Sequence, residues 1–197
     1  MLIPHTQLTH LGIFVHDLDR MVEFFVDMFG MVVSDRGEFQ GKHLAFLTGS
    51  SGEHHQVVLV KGRTGEPTTR ILGQVSFRVE SLADLRTFLA RSVELGATDQ
   101  EARNHGNSWS IYFRDPEYNF IEMYVVTPWQ VRQPWRVALD LDRPDHEIVA
   151  ETERLIDADG VTIPLEQWER DTERRLAGHR AGTDGSSPTS TNPEGRT

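Results

Sequence analysis

The sequence predicts an α+β fold. Two tandem βαβββ modules form a curved, partly open mixed β-barrel, and a C-terminal helical extension follows. Three observations carry this reading. One strand–helix signature recurs at an offset of 64 residues, three strand-like runs follow each copy of its helix, and the composition changes after Val126.

The repeat starts where residues 10–18 lie over residues 74–82, His10 above Gln74 and Leu18 above Leu82. Each copy opens with a short alternating apolar strand and continues through an N-cap residue, Asp17 or Ser81, into a helix. The first helix carries Leu18, Met21, Val22, Phe25, Met28 and Phe29; the second carries Leu82, Leu85, Phe88, Leu89 and Val93. Both follow the i, i+3, i+4, i+7 spacing of one buried face, and both stop at a glycine, Gly30 or Gly96. Strands are expected over 31–39, 43–48 and 55–61 in the first copy, and over 98–105, 109–113 and 121–126 in the second. The modules therefore span 8–61 and 71–126 within a domain of residues 1–126, with a Gly/Pro/Thr linker at 62–69 between them.

Residues 127–179 form the extension. A proline-marked stretch from Thr127 to Trp135 precedes two helical patterns, roughly 144–157 and 165–176, with Pro144 at a first helical position and Asp159-Gly160 as the break. Trp129, Trp135 and Trp168 are expected to anchor this appendage over the sheet or over a partner subunit. Residues 180–197 hold no aliphatic side chain larger than alanine and are expected to be a disordered tail.

Composition excludes several functions. The formal charge of −10 leaves no basic stripe to displace counterions from phosphates, so a nucleic-acid partner is not expected. Cysteine is absent, which removes disulfides, thiolate metal sites and cysteine nucleophiles. No run approaches a membrane span and the N-terminus lacks a signal-peptide pattern, so a soluble cytoplasmic protein is expected.

In paired βαβββ modules, inward side chains at the head of each first strand and on each last strand converge. Those positions hold His10, His54 or His55, Gln74 and Glu122. All are nitrogen or oxygen donors, suited to Fe²⁺, Mn²⁺, Zn²⁺ or Ni²⁺. Strand alternation allows only one of His54 and His55 to face the cavity, and His55 is favoured. Glu122 lies in the apolar run 120–126, where an inward carboxylate needs a cation and an outward one is merely solvated. Gln74 reads either as a weak ligand or as the remnant of a lost site, and Tyr112 either as a functional group or as ordinary packing. His105, before Gly106, falls in an expected loop.

These residues sit in Leu8-Thr9-His10-Leu11-Gly12, in Glu53-His54-His55-Gln56, and in His105 followed by the run Ser110 to Glu122, where Tyr112 precedes the glutamate by ten residues. In this the chain resembles the vicinal oxygen chelate superfamily of glyoxalases, bleomycin-resistance proteins and type I extradiol dioxygenases, and most of all the small biphenyl-2,3-diol-type dioxygenases. The resemblance implies that His10 and Glu122 ligate a non-haem Fe(II), that His55 is an acid/base toward dioxygen, and that Tyr112 and His105 hydrogen-bond the substrate hydroxyls. It implies cleavage of a small catecholic ring with O₂, a role in aromatic catabolism, and a homodimer. Three positions depart from the family pattern: Gln74 stands where a second histidine ligand is usual, Arg103 where a small residue is usual, and Tyr118 where the Asp-Pro turn has a glycine. Arg103 and Tyr118 read as loop changes. Gln74 favours two rivals, an isomerase or lyase using Zn²⁺, Ni²⁺ or Mn²⁺, and a metal-free protein that sequesters a small ligand.

Overall fold

The computed structural model describes residues 4–66, 72–159 and 162–181. Parts of the linker and of the second module's start, and the expected tail beyond 181, lie outside these residues.

The first module runs β1 (Leu11–Val15), α1 (Leu18–Phe29), β2 (Val32–Phe39), β3 (Lys42–Thr48), β4 (Val57–Lys61); the second runs β5 (Val75–Arg78), α2 (Leu82–Glu94), β6 (Thr98–Asn104), β7 (Ser108–Arg114), β8 (Phe120–Val126). The sheets are ordered β1-β4-β3-β2 and β5-β8-β7-β6, the same pattern twice. In each, the first strand pairs parallel with the last, Leu11 against Val57 and Val75 against Ile121, while the remaining neighbours are antiparallel. The two sheets are not joined into a closed barrel.

The repeated signals act as expected. Asp17 accepts from the Arg20 N–H and Ser81 from the Asp84 N–H, each satisfying a donor that the first helical turn leaves open. Gly30 terminates α1 at φ 65°, with its N–H on the Val26 carbonyl; Gly96 follows α2 at φ 71°. Helix α1 buries Met21, Phe25 and Met28 against Ala45, Leu47 and Leu59, and α2 buries Leu82 and Leu85 near Ile111, Phe113 and Ile121, in one continuous core. Each such side chain contributes about 1.5–3 kcal/mol when removed from water.

The modules are tied by a buried ion pair. The Glu117 carboxylate, in the β7–β8 turn, accepts from the backbone N–H groups of His16 and Asp17 at 2.8–2.9 Å. Arg63 lies 3.7 Å from that carboxylate and donates to the Glu117 carbonyl at 2.7 Å, with both side chains about 5% exposed or less. Phe29 and Phe77 stack at 4.2 Å across the same junction.

The extension is more integrated than a helical appendage. After β9 (Trp129–Val131), β10 (Val137–Ala138) adds itself to β6 as a fifth strand of the second sheet. Helix α3 (Asp145–Asp159) follows, and β11 (Thr162–Pro164) pairs with β9 before α4 (Leu165–Ala181). Thr152 on α3 accepts from Trp109 Nε1 and Asn104 Nδ2, both at 2.8 Å, which fixes α3 to the second module. Pro144 stands one residue before α3, its carbonyl accepting from Glu147 and Ile148. Helix α4 runs past residue 176, none of its side chains is fully buried, and Trp168 is 41% exposed. A helix without an apolar face gives composition no signal for its end.

Candidate functional site

The site grows from strand alternation in the second sheet. Core side chains occupy odd positions of β7 and β8, so even positions face away from α2. Pairing then aligns Glu101, Tyr112, Glu122 and Ser76 in one row across β6, β7, β8 and β5. Arg103 and Ser110 stand together in the next row.

Glu122 is 7% exposed and sits among neutral donors. Its Oε2 accepts from Ser76 Oγ at 2.6 Å and from Gln74 Nε2 at 2.7 Å, while its Oε1 accepts from Tyr112 Oη at 2.5 Å. Among the described residues no cationic side chain forms an ion pair with it. A buried carboxylate served only by neutral groups is the environment that a divalent cation stabilises.

Tyr112 Oη also meets His105 Nε2 at 2.9 Å, and His105 Nδ1 lies 3.0 Å from the Trp135 carbonyl. That carbonyl can only accept, so Nδ1 carries a proton and orients the ring. Burial, reinforced by the Glu122 hydrogen bond and charge, pushes the Tyr112 phenol well above its ordinary value, so it remains a protonated donor. Phe120 stacks on the Tyr112 ring at 5.1 Å, and Arg114 lies over Phe120 at 4.2 Å.

Gln74, Tyr112, His105 and Glu122 are thus brought into one hydrogen-bonded chain. His10 and His55 form a separate pair, with ring centroids 4.5 Å apart, and no contact among the described residues joins that pair to Glu122. Burial, then the neighbouring His10 and His54 imidazoles, lower the His55 pKa below its ordinary value. His54 and His55 do not point to opposite faces: their Nδ1 atoms are 3.0 Å apart and both rings lie against Phe46. Strand β4 begins only at Val57, so the alternation rule does not govern residues 54 and 55.

Two departures from the family pattern also resolve differently. Arg103 is in β6, not a loop, and its guanidinium donates to Glu101 at 2.7 Å. Tyr118 adopts φ 63° in a turn held by Asp115, whose Oδ1 accepts from the Glu117 and Asn119 N–H groups at 2.9 Å. This is the left-handed conformation that a glycine there adopts without strain. The sequence reading missed Ser76, Glu101 and Arg136. Ser76 was findable, two positions from Gln74 on the same face; Arg136 was not, because nothing marks β10.

The glyoxalase/bleomycin resistance protein/dioxygenase superfamily matches residues 7–123. A curated relative, biphenyl-2,3-diol 1,2-dioxygenase 3 of Rhodococcus globerulus, is 27% identical over 124 residues, covering 60% of this chain; the match spans 63% of that relative's length. Among solved structures, a glyoxylase/bleomycin resistance protein/dioxygenase domain from Frankia sp. EAN1pec matches at TM-score 0.55 and 22% identity, over 63% of this chain and all of that one. The fosfomycin resistance protein FosX from Mesorhizobium loti matches at TM-score 0.51 and 23% identity, over 63% and 94%. FosX from Listeria monocytogenes, solved with Mn(II) and sulfate, matches at TM-score 0.50 and 18% identity, over 63% and 95%. With residues 7–123 matched and the doubled βαβββ module in place, the chain belongs to the glyoxalase/bleomycin resistance protein/dioxygenase superfamily.

Proposed function

We propose that this protein is a metal-dependent, extradiol-type ring-cleaving dioxygenase acting on a small catecholic substrate. The observation that carries the reading is the chain from the Trp135 carbonyl through His105 and Tyr112 to Glu122. Two adjacent phenolic oxygens need a donor and a proton acceptor side by side, and Tyr112 Oη with His105 Nε2 offers that pair 2.9 Å apart.

Glu122 and Gln74 would hold the ion; the third ligand of this proposal, His10, stands apart from them beside His55 in this structure. The buried carboxylate without a cation fits a divalent metal, and the donors are nitrogen and oxygen throughout. Fe(II), when bound, would supply the one-electron chemistry that lets O₂ react with an aromatic ring. The chain's residues do the rest. Tyr112, held protonated, gives its one proton to Glu122 here and would turn it to a substrate oxygen once Glu122 holds the ion. His105, fixed by Trp135, presents Nε2 to accept a hydroxyl proton. His55, poised to stay neutral, serves as acid/base on the oxygen side.

Anaerobic loading with Fe(II), followed by O₂ electrode traces over a catechol panel, tests this. Stoichiometric iron, O₂ uptake and a yellow ring-opened product support the dioxygenase. Gln74 favours a second reading, since its amide is hydrogen-bonded to Glu122 where a second imidazole is usual. Tight Mn²⁺, Zn²⁺ or Ni²⁺ without O₂ uptake would establish that non-redox isomerase or lyase instead, and retention of ligand with no metal would establish a sequestering protein. A small aromatic substrate, O₂ as co-substrate, a homodimeric assembly and a cytoplasmic location belong to this proposal. Among the described residues no helix is long and apolar enough to cross a membrane.

A further inference from the structure

We infer that the substrate carries a carboxylate, and that Arg136 in the C-terminal extension binds it together with Arg103. The inference deepens the dioxygenase reading and rests on it only for the catechol half of the ligand.

Arg136 reaches the site because of β10. Val137 pairs with Asn104 and Ala138 with Arg103, which places Arg136 on the same face as Glu101 and Tyr112. Its guanidinium lies 5.7 Å from the centre of the Tyr112 ring and pairs with Glu101. The neighbouring 133–135 segment closes around His105: Gln133 Nε2 donates to the His105 carbonyl at 2.8 Å, and Trp135 holds its imidazole. Residues 133–138 lie beyond the residues 7–123 matched by the superfamily.

One carboxylate serves both guanidiniums directly. Glu101 is shared, one carboxylate oxygen toward Arg103 and the other toward Arg136. Arg114 is near its own carboxylate, Asp99, at 3.9 Å. Arg103 and Arg136 therefore share the Glu101 carboxylate beside the Tyr112 phenol, while Glu122, the other carboxylate of this face, is taken up by Ser76, Gln74 and Tyr112. Among the described residues Arg136 donates only to Glu101 and its side chain is 49% exposed, so it retains free donors at the rim. A planar fork that still has donors is suited to a planar carboxylate.

Anaerobic calorimetric titration of the metal-loaded full chain tests the inference with four probes: catechol, 3,4-dihydroxybenzoate, benzoate and phenylphosphonate. We expect 3,4-dihydroxybenzoate to bind at least about tenfold more tightly than catechol, the size of one charge-assisted hydrogen bond. In Arg136→Gln that ratio should collapse toward one, and in Arg136→Lys it should fall partway. A merely structural role would weaken both ligands alike and leave the ratio standing. A native ratio near one, a ratio unchanged in Arg136→Gln, or phenylphosphonate binding more tightly than benzoate would overturn the inference. Benzoate binding that depends on Arg136 in a protein without O₂ uptake sustains it while removing the dioxygenase; O₂ uptake with neutral catechols alone does the reverse.

Discussion

The first module lines the helix-free face of its sheet with His10, Phe14, Phe46 and the His54–His55 pair, whereas the second lines the equivalent face with carboxylates, hydroxyls and guanidiniums. Strand order, helix caps and the parallel first-to-last pairing are the same in both. The duplication therefore preserved what builds a core and let the opposite face diverge. Odd positions must still fill the space under a helix, while even positions are free of that packing demand. The second module also gained β10 and α3, and the hydrogen-bonded chain formed on the side those elements support.

The largest expected effect is on that division of labour. Glu122→Ala should abolish stoichiometric divalent metal, measured after reconstitution, whereas His55→Ala should keep the metal and lose turnover. Metal retained in Glu122→Ala would place the ion on the histidine module instead. Next comes the tie between modules. Glu117→Ala leaves Arg63 facing a lost carboxylate and removes the acceptor of two N–H groups, and should cost about 3–5 kcal/mol in urea unfolding. A cost under about 1 kcal/mol, the range of exposed pairs, would show that the modules hold together without it.

Thr152→Val probes whether α3 belongs to the second module. It strips the acceptor from Trp109 and Asn104 while keeping volume, and a loss of about 1–3 kcal/mol is expected by chemical denaturation. No loss would make α3 a passive cover. The smallest effect has the opposite sign. Tyr118→Gly relieves a left-handed residue in the β7–β8 turn and should raise stability by about 1 kcal/mol in the same measurement. A decrease would mean that the Tyr118 ring supports the turn.

Sequence patterning made the repeat legible because each module writes its core twice, once in the 3.6 period of its helix and once in strand alternation. Leu18 to Phe29 was readable to the residue, since Asp17 and Gly30 mark both ends by local backbone chemistry. Gln74, Tyr112, His105 and Glu122 were legible as candidates from spacing, but their hydrogen-bonded order was not. Tyr112 and Glu122 are ten positions apart and meet only through the β7–β8 register; Ser76 joins them from β5. Residues 54 and 55 misled because alternation was applied where no strand exists.

The sequence alone determined the doubled module, its helix limits and the donor types available to a site, because caps, periodicity and composition are local properties. Tertiary structure alone decided that β10 completes the second sheet and that Arg136 stands over Tyr112 beside a shared Glu101. A two-residue strand carries too little pattern to announce itself; its place is set by the edge of β6, which offers backbone groups to any segment that can reach them.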